Sequence, residues 1–120
     1  MQKVTDTKIE LTRGDTFKAQ VVMVKYGEEY TPQDGDTIRF ALKRPNMNGM
    51  RSEYSDDNPL IEKVIPNDTL ILRLEPSDTK PLGFGEYVYD IEITFADGDV
   101  DTFINNAQFV LVPEPVRAIL

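Results

Sequence analysis

Three aspartates stand at alternate positions in the segment FADGDVDTFI, residues 95–104, and could in principle bind a metal ion. A calcium loop of the EF-hand type requires glycine at its sixth position and a bidentate glutamate at its twelfth. Counted from Asp97, those positions hold Thr102 and Gln108. The segment therefore does not fit this calcium-binding template.

The same segment fits a tight hairpin. Asp97 and Gly98 lie between two β-patterned runs, and this dipeptide favours a two-residue turn because glycine readily adopts a positive φ. We expect a hairpin tip here, with Asp99 and Asp101 on the solvent face of the returning strand and no bound metal.

Catalytic chemistry has few candidate residues. The chain has no histidine and no cysteine, which excludes Ser-His-Asp and Cys-His catalysis, the common zinc sites and any disulfide. A glycosidase-like reaction would need two carboxylates. The candidate pairs are Asp56 with Asp57, Glu28 with Glu29, and Asp90 with Glu92. The first two lie in predicted loops and the third on the outer face of a predicted strand. We expect solvated surface charge, no enzyme activity and no cofactor.

Apolar and polar residues alternate with a period of two along most of the chain, as they do in half-buried strands. In GEYVYDIEITF, residues 85–95, the tyrosines, isoleucines and phenylalanine share one face. Runs bounded by turn-forming residues predict about seven strands, at residues 9–11, 17–23, 38–42, 60–65, 70–74, 87–95 and 103–112. This spacing predicts an all-β fold: an immunoglobulin-like β-sandwich of about seven antiparallel strands without a disulfide.

Two local features refine this prediction. Tyr87 stands two residues before the inward Tyr89, where an immunoglobulin-like sandwich places a corner tyrosine whose hydroxyl bonds upstream backbone. Ser77 is expected to cap a single helical turn before that strand. The tripeptide RGD, at Arg13–Asp15, is interpreted as a turn made by Gly14 rather than as an adhesion motif.

The length of the chain limits the number of domains, and its net charge limits the kinds of partner. With 120 residues, one domain over 1–120 is expected, with its core at about 9–113, a polar loop at 44–59 and a proline-led C-terminal strap at 113–120. A net charge of −8 disfavours nucleic acid and anionic membranes as partners. No segment has the pattern of a secretory signal or of a membrane span, so we expect synthesis in the cytoplasm.

Apolar residues at positions expected to be solvent-exposed are candidates for a protein interface. Those on the outer face of one predicted sheet are Ala41, Val88, Val110 and Val112, and those in the polar loop are Met47, Met50 and Tyr54. A contiguous apolar patch would indicate a partner. Scattered apolar surface residues are common, however, and the loop residues could equally pack back onto the domain.

Four segments follow one another in an order that is similar to a known family. They are LTRGDTFKAQVV, DGDTIRFALKRP, IPNDTLILRLEPSDTKPLGFGEYVYDIEITFADGDVDTF and AQFVLVPEP, and together they cover roughly residues 9–113. The matching residues are Gly14, Asp15, Phe17, Leu74, Pro76, Asp78, Thr79, Gly85, Tyr87, Tyr89, Asp90, Ile91, Asp97, Gly98 and Phe109. The chain thereby resembles the immunoglobulin-like domain at the N-terminus of phage baseplate upper proteins and related prophage tail proteins.

This resemblance implies a non-enzymatic structural adaptor that docks on other tail or baseplate proteins and could form homo-oligomers. It would be made in the bacterial cytoplasm and carried in the virion. A carbohydrate-binding β-sandwich module is the alternative function. Sugar-binding platforms usually need exposed aromatic rings; the chain has no tryptophan, and Tyr26, Tyr30 and Tyr54 are the candidate tyrosines.

Overall fold

The computed structural model describes residues 2–5, 7–25, 27–45 and 59–113. This part of the chain is almost entirely β structure. The strands are β1 Gln2–Thr5, β2 Lys8–Thr12, β3 Phe17–Gln20, β4 Val24–Lys25, β5 Glu28–Glu29, β6 Thr37–Lys43, β7 Ile61–Ile65, β8 Ile71–Leu74, β9 Gly85–Thr94 and β10 Val100–Val112. The one helix in these described ranges, α1, spans Pro76–Thr79.

Each of the seven strands predicted from sequence periodicity is present, as β2, β3 and β6–β10. The alternation is clearest in β9, where Tyr87, Tyr89, Ile91 and Ile93 are all buried and the residues between them are not. The predicted strand at 17–23 is shorter than expected and ends at Gln20. The short strands β1, β4 and β5 were not predicted.

The strands form one large sheet and two small ones. The large sheet has six strands in the order β1-β2-β10-β9-β6-β7, while β3 pairs with β8 and β4 pairs with β5. The expectation of purely antiparallel strands is wrong for one pair, because β2 and β10 run parallel. Since no short turn connects these two strands, no hairpin forces them to run in opposite directions.

The inner faces of the six-stranded sheet and of the β3-β8 sheet contribute to one hydrophobic core. Phe17 of β3 and Leu74 of β8 are fully buried together with Phe40 and Phe109 of the large sheet. The ring of Tyr89 lies 5.4 Å from that of Phe40 and 6.3 Å from that of Phe109, within the range of favourable aromatic pairs. The described residues of both sheets therefore share one hydrophobic core with an aromatic centre.

The connection from β8 to β9 is held at two points. At the first, the Asp78 carboxylate accepts a 2.7 Å hydrogen bond from the backbone N–H of Glu75, which closes the start of α1. Ser77 was expected to cap this turn, but it lies inside α1, because the helix begins one residue earlier at Pro76. Proline favours the first helical position, since it has no N–H to leave unpaired.

At the second point, the Tyr87 hydroxyl donates a 2.7 Å hydrogen bond to the carbonyl oxygen of Gly83, four residues upstream. This bond confirms the one predicted for the corner tyrosine. Thr79 at the end of α1 is fully buried, and its hydroxyl accepts a 2.9 Å hydrogen bond from the N–H of Gly14. The turn before β3 is thereby tied to the turn before β9.

The hairpin predicted at Asp97 and Gly98 is confirmed. Gly98 has a φ of 97°, and its N–H bonds to the carbonyl of Phe95 at 2.9 Å. The placement of Asp101 needs correction, however. It lies opposite Ile93, a buried residue, and directly opposed residues of an antiparallel pair project from the same face. Asp101 is therefore on the inner side of β10, and it is exposed there.

Removing the Tyr87 hydroxyl tests the β8-β9 connection. Tyr87→Phe keeps the buried ring and deletes only the bond to Gly83, so we expect the free energy of unfolding to fall by about 1 kcal/mol. Urea denaturation followed by circular dichroism measures this loss. A midpoint and slope identical to those of the wild type would contradict a stabilising role for the bond.

Tyr89 provides a prediction at alkaline pH. Burial raises the pKa of its phenol from the ordinary value of 10.0 to about 12, and its hydroxyl donates a hydrogen bond to the carbonyl of Thr7. The unfolded chain loses this proton near pH 10 while the folded protein still holds it. Stability from this group is therefore complete below pH 10 and falls as the pH rises to 12.

The measurement compares urea denaturation of the wild type and Tyr89→Phe at pH 8, 10 and 11. We expect the wild type to be the more stable protein at pH 8 and its advantage to shrink above pH 10, because phenylalanine has no proton to lose. A difference in stability that stays constant across this range would refute the prediction.

Candidate functional site

The outer face of the six-stranded sheet carries four of the residues expected at an interface. Ala41, Val88, Val110 and Val112 all lie there and are half-buried. The register places a polar residue beside each one. Ala41 lies opposite Asp90, Val88 between Lys43 and Gln108, Val110 between Glu86 and Glu10, and Val112 opposite Thr12. The four residues share a face, but polar neighbours separate them across the strands.

Other residues singled out from the sequence lie outside the described part of the chain. They are Met47, Met50 and Tyr54, together with Tyr26, Asp56, Asp57 and the strap after Pro113. Their role at an interface or a binding site therefore stays a prediction. Of the two remaining acidic pairs, Glu28 and Glu29 are exposed in the short strand β5.

Asp90 and Glu92 line a hollow of about 340 Å³ on the outer face of the large sheet. Its other charged residues are Arg39, Lys43 and Glu62. Each carboxylate of the predicted pair has a cationic partner: the Lys43 ammonium lies 3.1 Å from Asp90, and the Arg39 guanidinium lies 2.8 Å from Glu92. The geometry is that of two ion pairs across neighbouring strands.

Asp90 has a second contact that gives it a structural role. One carboxylate oxygen binds Lys43, and the other accepts a 2.7 Å hydrogen bond from the backbone N–H of Asn106. Asn106 has a φ of 53°, and the pairing of β10 with β9 shifts register between Ile104 and Ala107. Asp90 thus holds a β-bulge, a device that bends a strand and redirects the residues beyond it.

The two ion pairs differ in burial. The side chains of Lys43 and Asp90 are 9% and 13% exposed, whereas those of Arg39 and Glu92 are 47% and 31% exposed. Water and salt screen the second pair and weaken its contribution to stability. The first pair is largely desolvated, so losing Lys43 would remove the ammonium that lies 3.1 Å from a mostly buried carboxylate.

The loops at one end of the fold are joined through Asp36, which is only 8% exposed. Its carboxylate accepts hydrogen bonds from the Tyr30 hydroxyl at 2.7 Å and from the backbone N–H of Ala96 at 3.3 Å. Its carbonyl accepts a 2.8 Å bond from the Asn67 side chain. The bond to Asp36 raises the pKa of Tyr30, because the carboxylate favours the protonated phenol. One buried acid therefore joins the loops that precede β6, β8 and β10.

The tripeptide Arg13–Asp15 is built into the opposite end. Gly14 has a φ of 88°, which confirms its predicted place in the turn. The Arg13 guanidinium lies 4.5 Å from the centre of the Phe84 ring and donates a 3.3 Å hydrogen bond to the carbonyl of Leu82. These contacts give Arg13 a structural position, as expected from the sequence.

A second concave surface was not anticipated from the sequence. Val22 and Val24 follow β3 and are 64% and 57% exposed. Together with Thr7 and residues 101–104 of β10, they line a groove of about 590 Å³. The sequence does contain a sign of this exposed apolar surface. In the run VVMV, residues 21–24, apolar and polar residues do not alternate. Since the alternating faces of a strand cannot bury four consecutive apolar residues in one layer, some had to be exposed.

Within the described ranges, no cluster of three or more acidic, histidine or cysteine side chains could hold a metal ion. The same part of the chain contains no helix that is both long and apolar enough to cross a membrane.

Replacing Lys43 tests the buried pair. Lys43→Met keeps much of the side-chain volume and removes the ammonium beside the mostly buried Asp90 carboxylate, so we expect a loss of about 3 kcal/mol in the free energy of unfolding. Arg39→Met is the matched control on the same strand and should cost less than about 1 kcal/mol, because its pair is exposed. Urea denaturation of both variants measures the difference, and equal losses would contradict a structural role specific to the Lys43 pair.

No model of a known protein family matches the chain, and no curated protein or solved structure matches it significantly.

Proposed function

We propose that this protein is a non-enzymatic structural module with an immunoglobulin-like sandwich, which docks on other proteins of a phage or prophage tail or baseplate. The strand order is the observation that carries the fold. Immunoglobulin domains pair strands B and E in one layer and strands G, F and C in the other. Here β3 pairs with β8, and β10, β9 and β6 are consecutive neighbours in the large sheet. β7 lies beside β6, where variable-type domains place C′.

The residues that carry the family resemblance support the same fold. Gly14 and Thr79 bond to each other across the two turns, and Asp78 closes the start of α1. Tyr87 makes the corner bond, and Asp90 holds the bulge in β10. These contacts give each of these residues a structural role in the fold. The tail or baseplate role follows from the resemblance itself.

The structural roles of the buried and half-buried acids support a docking function rather than catalysis. In the described part of the chain, Asp36, Asp78 and Asp90 each hold a turn, a loop or a bulge in place. A docking module needs a rigid frame with free edges and loops, and these acids provide the rigidity. Synthesis in the bacterial cytoplasm, a place in the virion and self-association are parts of the same proposal.

The carbohydrate-binding alternative gains no support from Tyr30. Its hydroxyl is bonded to Asp36, and its ring meets the ring of Phe95 edge to face at 5.8 Å. A sugar platform requires an aromatic face that is free to stack on the ligand. The described residues therefore favour the docking module.

The tail assignment is tested in particles. A phage or induced prophage that encodes this chain should carry it in purified particles, as detected by mass spectrometry, with immunogold label at the tail. Deletion of its gene should yield particles with incomplete tails, and expression of the chain in trans should restore them. Particles that lack the chain, together with full infectivity of the deletion strain, would refute the assignment.

A further inference from the structure

The groove beside β10 combines an apolar wall with an open strand edge. Its lining, Thr7, Val22, Val24 and Asp101–Ile104, defines what we call the β10 groove. Val22 and Ile104 also line a neighbouring cavity of about 270 Å³, which lies over the core residues Phe17 and Tyr89. The groove is therefore continuous with the space between the two β layers.

Within the described ranges, no strand pairs with the second edge of β10 at this point. β10 has 13 residues, and β2 pairs with it only from Phe109 to Val112. Among the described residues, the part of β10 from Val100 to Ala107 pairs with β9 alone. An edge of this kind presents backbone N–H and C=O groups that can accept a further strand.

The only charged residue among the described lining of the groove is acidic. Asp101 projects from the inner side of β10 into the groove and has no ion-pair partner among the described residues. Outside the lining, Glu29 is exposed and lies opposite Val24 in the β4-β5 pair. Residues 95–104 contain no lysine or arginine, and Lys8 lines the adjoining hollow along β10.

We infer that the β10 groove receives an extended segment of a partner protein that carries alternating apolar and basic side chains and adds as a strand to β10. Backbone hydrogen bonds to the open edge give affinity in this mode of recognition, and side-chain pockets give specificity. The apolar side chains would cover Val22, Val24 and Ile104, and a lysine or arginine would pair with Asp101. This inference deepens the proposed docking function and rests on it for the identity of the partner.

Asp101 also argues against other occupants of the β10 groove. An inward-facing charge on an edge strand rejects neutral strands, because pairing would desolvate it without compensation. A second copy of this chain is disfavoured, since each copy has a net charge of −8 and would bring its own acids to the edge. Only a strand with a basic side chain opposite Asp101 avoids both the desolvation of an unpaired charge and the repulsion between acids.

The test uses the synthetic peptide KTVTVTK, whose valines and lysines all project from one face of a strand in either direction. Peptide ETVTVTE reverses the charge, and KTTVVTK keeps the composition but moves the valines to opposite faces. Binding of fluorescein-labelled peptide is measured by anisotropy on the full chain. We expect KTVTVTK to bind about tenfold more tightly than either control peptide.

Variants locate the site. Val24→Lys and Asp101→Lys should each weaken binding of KTVTVTK about tenfold, whereas the matched controls Val64→Lys and Asp34→Lys should change it less than about twofold. Val64 is 66% exposed on β7, Asp34 is exposed in the turn before β6, and neither residue lines the groove. Val22→Lys replaces Val24→Lys if thermal melting shows that the latter does not fold.

Hydrogen exchange provides a second readout. Added KTVTVTK should slow exchange of the amides from 100 to 104, because a new strand satisfies them, and should leave β7 unchanged. Equal binding by Val24→Lys and Val64→Lys, equal binding of KTTVVTK, unprotected β10 amides or no binding would each overturn the inference. If the protein is found in tails but fails this test, the proposed function stands and the protein docks through another surface. If the protein binds the peptide but is absent from particles, the groove binds a strand and the tail role is wrong.

Discussion

Burial of one face of β9 is the constraint on which the rest of the structure depends. β9 lies between β10 and β6 in the large sheet, so its backbone groups are paired on both edges. Tyr87, Tyr89, Ile91 and Ile93 project from its inner face into the core. Strict alternation fixes the register, because a slip of one residue would turn these four side chains to water and bury Glu86, Asp90 and Glu92 instead.

Most of the fold could be predicted from this alternation, because the period of two is a property of the sequence alone. β9, β6 and β8 have clean patterns and were found where expected. Parallel pairing of β2 with β10 could not be predicted in the same way, because it depends on which strands meet after folding. The inner placement of Asp101 depends on the irregular register of β10, which no local pattern encodes.

The candidate site was less predictable than the fold. Sequence analysis identified Asp90 and Glu92 as a pair but not their cationic partners, because Lys43 and Arg39 lie on another strand about 50 positions away. The docking residues were sought on the outer face, where Val88 and Val110 break the polar pattern. The most exposed valines of the described residues are elsewhere, at Val22, Val24, Val64 and Val100.

Parallel pairing of β2 with β10 also has a mechanical consequence. The start of β2 and the end of β10 lie at opposite ends of the paired stretch, so a pull between these two points acts along the strands. Such a load stretches the hydrogen bonds of all four register pairs, from Ile9 with Phe109 to Thr12 with Val112, at the same time. An antiparallel pair pulled from adjacent ends would instead open one bond after another. The contact between first and last strands of the core is thus oriented to resist shear.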